Sequence, residues 1–220
     1  QVRGFQQAQR NANDAIAMLQ TAEGSYQTIS DILTRMRELA VEAANAGTMD
    51  STERGYIDEE FQLLESELDR IVNVTEYNGQ KLINGAISAG NTFQVGFRNA
   101  SDDRISLTVS DTGSTDLGIN DNNLATQIGG MSAITALDTA IESVATKRAT
   151  LGTLQNRLTM TISNLGSMHE NMSAGNSRLK DVDVAEETAA FTRNQILSQA
   201  GISVLAQANA LPQAALSLIG

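Results

Sequence analysis

The sequence has no cysteine, no tryptophan and a single proline, Pro212, and aromatic residues make up only 4% of its 220 positions. Without cysteine there can be no disulfide, no thiolate metal site and no cysteine nucleophile, a composition that suits a protein working outside the cell without redox support. With helix breakers and bulky core anchors both scarce, the chain reads as long helices and not as a compact globule. Basic residues are also few, 15 against 26 acidic ones, and the net charge of -11 repels phosphate backbones, so nucleic acid is not expected as a partner. From Asn194 to Gly220 there is no charged residue. Even so, Asn194, Gln195, Ser198, Gln199, Ser203, Gln207, Asn209 and Gln213 leave no uninterrupted apolar run of about 18 residues, and no Lys and Arg face could hold the segment on anionic lipid. A membrane is therefore not expected as a partner either.

What is present is apolar periodicity. Alternating steps of three and four from Phe5 land on Phe5, Ala8, Ala12, Ala15, Leu19, Ala22, Tyr26, Ile29, Leu33, Met36, Ala40 and Ala43. This is a coiled-coil seam, and its alanines favour both the helix and close approach of a neighbour. It predicts a helix over about 3–46, roughly 65 Å long at 1.5 Å per residue, with Gly47 as its stop. Gln1, Val2 and Arg3 already read as helix, so the first residue is expected to be an artificial or processed end. Asp50 with Glu53 has the spacing of a capping box, and Ile57, Phe61, Leu64, Leu68 and Ile71 continue the pattern in a second helix over 51–74.

Asn78-Gly79 is a strong turn dipeptide. Beyond it, Phe93, Val95 and Phe97, then Ile105, Leu107 and Val109, alternate with polar residues, which predicts an antiparallel hairpin across the Arg98 to Arg104 turn, within a β region over 77–110. Gly, Asn, Asp and Thr dominate 111–127, which reads as an exposed loop. From Ile134 a heptad places Leu137, Val144, Leu151, Leu158, Leu165 and Met172 at one core position and Ile134, Ile141, Arg148, Gln155, Ile162 and His169 at the other, where the polar members can set register. That helix is expected over 128–174, broken by Gly175 and Asn176. Asp183 with Glu186 repeats the capping signal ahead of a last helix. Its two apolar stripes, Leu197, Ala200, Val204, Ala208, Leu211, Ala215 and Leu218, and Ile202, Leu205, Leu216 and Ile219, need two sets of neighbours.

Taken together, the fold class is mainly α: an elongated rod of long antiparallel coiled-coil-like helices with a small β-hairpin region, over 1–176, plus a C-terminal amphipathic helix over 177–220. Catalysis is not expected. His169, the only histidine, occupies a heptad position, does not extend into H-E-x-x-H, and no serine lies in a G-x-S-x-G elbow. Asp181 and Asp183 lack the glycine and closing glutamate of a calcium loop, and the glycines at 85, 90, 113 and 118 form no phosphate cradle. No catalytic, cofactor or metal residue is assigned. The carboxylates Asp58, Glu59, Glu60, Glu65, Glu67 and Asp69 are read as facing solvent.

Several blocks resemble the bacterial flagellin family. Gln9-Arg10-Asn11-Ala12-Asn13-Asp14, Gln20-Thr21-Ala22-Glu23-Gly24 and Arg35-Met36-Arg37-Glu38-Leu39-Ala40-Val41 are similar to the first helix of the flagellin core domain. Thr75-Glu76-Tyr77-Asn78-Gly79-Gln80-Lys81-Leu82 is similar to the turn after its second helix. Leu154-Gln155-Asn156-Arg157-Leu158, Arg178 with Asp181-Val182-Asp183, and Leu205-Ala206-Gln207-Ala208-Asn209 with Pro212-Gln213 resemble its carboxy-terminal core. The blocks fall in the family's order along essentially the whole chain.

The resemblance implies a structural subunit of the flagellar filament, self-assembling into a helical tube outside the cell. A hook-filament junction protein, which shares the terminal helices, is the alternative. It also implies a family helix ahead of Gln1, lacking here, so that this copy is not expected to polymerise unaided, and a smooth filament, because outer domains are inserted where this chain has only the loop 111–127. Implied partners are other flagellin subunits, the flagellar export apparatus and filament cap, and an export chaperone covering about Asp181 to Leu218. Ile196, Leu197, Val204, Leu205, Leu211, Leu216 and Leu218 are expected to pack against that chaperone and in the filament core. A further implied partner is the vertebrate Toll-like receptor that senses flagellin, whose contacts map onto Arg35, Leu39 and Glu60.

Overall fold

The computed structural model describes residues 1–47, 49–180 and 184–219, with side chains described at all of these except 179, 180, 184 and 210–219. Two compact units divide the chain, Gln1–Met172 and Ser173–Gly220. The first contains α1 (Val2–Ala43), α2 (Ser51–Val74), the short strands β1 (Glu76–Tyr77), β2 (Gln80–Lys81), β3 (Asn91–Gln94) and β4 (Arg104–Leu107), and α3 (Gln127–Lys180) as far as Met172. The second holds the rest of α3 and α4 (Val184–Ile219).

Every member of the α1 seam is buried, from Phe5 to Ala43, and Met18 and Leu39 join it. α1 ends at Ala43, short of the predicted stop at Gly47: Ala44 keeps the helical bond to the Ala40 carbonyl, and the next N–H, of Asn45, turns to the Glu42 carbonyl at 3.1 Å in a tighter last turn. The capping box forms as its spacing requires: the backbone N–H groups of Thr52 and Glu53 both donate to Asp50 Oδ1 at 2.8 Å, and Glu53 Oε2 accepts from the Asp50 N–H at 3.1 Å. Asp50→Ala is expected to lower stability by about 1 kcal/mol, read as a shift of the urea midpoint with unchanged slope.

α2 runs antiparallel to α1. Arg54, near its start, donates to the Ala43 carbonyl at 3.0 Å, and Thr75, at its end, reaches the Ser25 hydroxyl at 3.0 Å. α3 is antiparallel to α1 as well: Arg37 pairs with Asp138 at 2.6 Å and Glu23 with Arg148 at 2.8 Å. At the near end of this pairing Gly130 lies against α1 so closely that a Cβ there would sit 2.8 Å from the Ala44 nitrogen and 3.0 Å from the Ala40 oxygen. The polar heptad member Arg148 is thus paired across the helix contact with Glu23. Leu137, Val144, Leu151, Leu158 and Leu165 are buried along α3, whereas Met172, assigned to the same seam, is exposed.

The Asn78-Gly79 turn joins β1 to β2, a strand pair that the alternation pattern is too short to reveal. Asn78 at φ 51 and Gly79 at φ 78 are both left-handed, as a two-residue hairpin turn of this hand demands. β3 and β4 pair antiparallel with Phe93 opposite Ile105. The strands are shorter than the alternation over 93–97 and 105–109: Val95 keeps one bond to the Asp103 carbonyl at 2.8 Å, and Phe97 leaves the sheet to meet Phe5 edge-on at 4.8 Å. Asn11 donates to the Gln94 carbonyl at 3.0 Å and so ties the hairpin to α1.

Two further expectations are corrected. α3 does not stop at Gly175 and Asn176 but continues to Lys180; an interior glycine costs about 1 kcal/mol against alanine yet keeps its backbone N–H and breaks no hydrogen bond. The segment 111–127 is not an exposed loop, since Thr112, Ser114, Leu117, Ile119 and Leu124 are buried in it. The proposed cap at Asp183 lies outside the described residues.

Candidate assembly and partner-binding surfaces

One side of α2 explains the burial of that loop. Asp58, Gln62, Glu65 and Asp69 follow the four-three-four spacing of a seam and share one helical face. Asp58 Oδ1 accepts from the Leu124 backbone N–H at 2.6 Å, Gln62 donates to the Asn122 carbonyl at 3.1 Å, and Asp69 accepts from both the N–H and the hydroxyl of Ser114, at 2.7 and 2.8 Å. The expectation that Asp58, Glu65 and Asp69 face solvent is corrected. They instead satisfy a loop backbone that would otherwise bury unpaired N–H groups. Their signal was a polar set at seam spacing, which an apolar search passes over. From the opposite side, Tyr26 Oη meets Thr112 Oγ1 at 3.1 Å, and Lys147 Nζ, from α3, reaches Thr112 Oγ1 at 3.2 Å and Asp116 at 3.4 Å.

Glu65 is the strained member of this face. Burial raises its carboxyl above the ordinary 4.5; the Ser114 hydrogen bond opposes this, and the charges of Asp69 and Asp121 add to the rise. A raised folded pKa means that the stabilising contribution of the protonated carboxyl is present below about 4.5 and is lost as pH climbs through the folded value. Glu65→Gln is therefore expected to raise the thermal midpoint at pH 7, by on the order of 1–2 °C after solvent screening, with the gain gone near pH 4 in melts across that range.

On the opposite flank, Arg35 pairs with Glu60 at 2.8 Å and with Glu38 at 3.1 Å, and these partners, Glu60 first, push its pKa further up. All three side chains are about half exposed, so the cluster contributes little to stability and is free to contact another molecule. Arg35 and Glu60 are thus brought together. Leu39 is not, for it is 1% exposed and faces the core. Tyr56 and Leu63, within about a helical turn of Glu60, are exposed apolar residues, and with Val74 at the far end of α2 their steps of seven and eleven form a second stripe on that helix. His169 is half-buried, and its Nε2 finds no hydrogen-bond partner among the described residues. No group of three or more His, Cys, Asp or Glu side chains among the described residues could hold a metal ion.

α4 is different in kind. Phe191, Ile196, Leu197, Ile202, Val204 and Leu205 are each more than 60% exposed. By helical spacing Phe191, Ile202 and Leu205 fall on one side and Leu197 and Val204 on another, so the helix is apolar in more than one direction. The side chains of Leu211, Leu216 and Leu218 lie outside the described residues. Among the described residues no helix is long and apolar enough to cross a membrane.

Comparison with known proteins assigns this architecture. The profile of the bacterial flagellin N-terminal helical region matches residues 1–88, and that of the C-terminal helical region matches residues 134–219. The chain is 39% identical over 219 residues to a flagellin of Halalkalibacterium halodurans, covering 100% of this chain and 80% of that protein. The chain belongs to the bacterial flagellin family. A flagellin of Bacillus subtilis is also 39% identical, over 251 residues that cover 100% of this chain and 82% of that one. The crystal structure of Bacillus cereus flagellin superimposes with a TM-score of 0.63 at 35% identity, covering 76% of this chain and 94% of that one. Flagellin is a structural protein, the subunit of the bacterial flagellar filament, and this chain has that role. The two matched regions carry α1, α2 and β1–β2 on one side and most of α3 with α4 on the other. Between them lie the β3–β4 pair and the loop clasped by the acidic face of α2.

Proposed function

We propose that this flagellin divides its work between a self-sufficient core, residues 1–176, and a C-terminal segment, 177–220, whose helix α4 reaches stability only among other copies of the chain. The observation that carries this reading is the contrast between α1, whose seam is wholly buried, and α4, whose large apolar side chains are exposed on more than one side. Burying a leucine or isoleucine contributes about 1.5–3 kcal/mol, and an exposed set of this size would drive aggregation of a free chain. Neighbouring subunits placed head to tail cover such a helix on all sides, and contacts of that type propagate into an open helical filament. Before assembly the same residues need another cover. An export chaperone on Ile196, Leu197, Val204 and Leu205, and on the leucines beyond them, supplies it while the chain waits for the export apparatus. The filament cap then receives the chain outside the cell.

Arg35 and Glu60 form a second contact site, for the vertebrate Toll-like receptor that senses flagellin. With Leu39 facing the core, Leu63 and Tyr56 are the apolar side chains available beside them. Expression of the gene in cells that build hooks but lack any other flagellin is expected to restore long extracellular filaments and swimming. Protein confined to hook tips, with no filament, would assign the chain to the hook-filament junction instead.

A further inference from the structure

The chain holds seven methionines, and their placement divides them sharply. Met18 and Met36 are buried in the α1 seam at 5% and 0% exposure, and Met49 packs against the core. Met131, Met160, Met168 and Met172 are exposed, Met160 most of all at 73%, and all four stand on α3. Between Arg157 and Glu170 that helix has no Asp, Glu, Lys or Arg, only small hydroxyl residues, apolar residues, amides, glycine and His169. No long charged side chain on this stretch of the helix shields Met160 or Met168 from a small oxidant. In a chain without cysteine, these thioethers are its most readily oxidised groups.

We propose that the exposed methionines of α3 are a modification site for two-electron oxidants of the peroxide class, and that their oxidation acts on association of the subunit and not on its folding. A thioether lone pair attacks one oxygen of hydrogen peroxide, the O–O bond breaks as the S–O bond forms, and the departing hydroxide takes the proton from the attacked oxygen to leave as water; sulfur is oxidised to the sulfoxide and the peroxide is reduced. The product replaces a flexible apolar side chain with a polar, chiral one. Because the four sulfur atoms lie outside the core, the packing that holds α1, α2 and α3 together is untouched. A neighbouring copy laid over any of these positions would meet a strongly polar oxygen where it had met an apolar side chain. The effect on association rests on the filament-subunit reading, whereas the assignment of the site does not.

The test treats the full-length product of the gene with hydrogen peroxide, follows each methionine by peptide mass spectrometry, and then measures the thermal midpoint and filament formation. Met160 and Met131 are expected to oxidise at least ten-fold faster than Met18 and Met36, with the midpoint unchanged and filament formation reduced several-fold. A variant with all four positions changed from Met to Leu is expected to keep its filament formation after the same treatment. Equal oxidation of Met18 and Met36 would overturn the site, and undiminished assembly of the oxidised wild type would overturn its effect. Failure of the reduced wild type to form filaments under any condition would count against the filament reading alone, since the mass spectra still decide the site.

Discussion

Tyr26→Ala is expected to cost on the order of 3–5 kcal/mol, a large share of the 5–15 kcal/mol that holds most domains folded. Tyr26 is fully buried in the α1 seam, with its hydroxyl on Thr112 at 3.1 Å, so truncation opens an aromatic-sized cavity and removes the polar anchor of the loop at once. Tyr26→Phe separates the two effects. It keeps the ring and is expected to cost only about 1 kcal/mol, the net contribution of one hydrogen bond. The same phenol predicts alkaline behaviour. Burial raises its pKa above the ordinary 10.0; the Thr112 hydrogen bond works against this, and Asp111, Asp116 and Glu23 add to it. A raised folded pKa makes its contribution complete below about 10 and lost as pH rises through the folded value, so the wild type should lose stability more steeply above pH 10 than Tyr26→Phe. Urea unfolding of the two proteins at pH 8 and above 10 checks this; parallel pH profiles would remove the phenol from the account.

Leu197→Asp combined with Leu205→Asp is expected to abolish filaments while the melting of the core stays unchanged. Both side chains are exposed in α4, at 61% and 64%, so the substitutions cost the isolated chain little. Once neighbours cover the helix, each forfeits about 1.5–3 kcal/mol of apolar burial and adds the several-kcal/mol penalty of an unpaired buried carboxylate, at every subunit of the polymer. The expected result is loss of filaments, counted by electron microscopy, with the protein recovered as monomer from cells and medium together, and with Leu205→Met as the tolerant control. Normal filaments from the doubly substituted protein would mean that α4 does not pass into an apolar environment.

Much of the fold was legible because long helices with a buried stripe write their partners into a local period. Phe5 through Ala43 could be read one by one, and so could the Asp50–Glu53 cap and the Asn78-Gly79 turn, since each depends on residues no more than a turn or two apart. The antiparallel pairing of β3 with β4 was likewise carried by alternation, although its register and its ends were not, because where Phe97 leaves the sheet is decided by Phe5 on a distant helix. The candidate contact site was legible in part. Arg35 and Glu60 do meet, but Leu39 differs from an exposed neighbour only in which side of α1 faces the core.

The sequence by itself determined the class of the molecule: helices long enough to exceed any compact core, one buried stripe on each of the first three, and a last helix that is uncharged from Asn194 onward, with apolar residues in too many directions for a single neighbour. Only the tertiary structure decided what the polar residues do. Asp58, Gln62, Glu65 and Asp69 are indistinguishable from a solvated face until Leu124, Asn122 and Ser114 are brought to them from more than forty positions away, and Arg148 gains its ion-pair partner only when Glu23 lies opposite. The physical reason is that apolar burial is non-directional and announces itself through spacing alone, whereas a hydrogen bond or ion pair takes its meaning from a partner whose position the whole fold must supply.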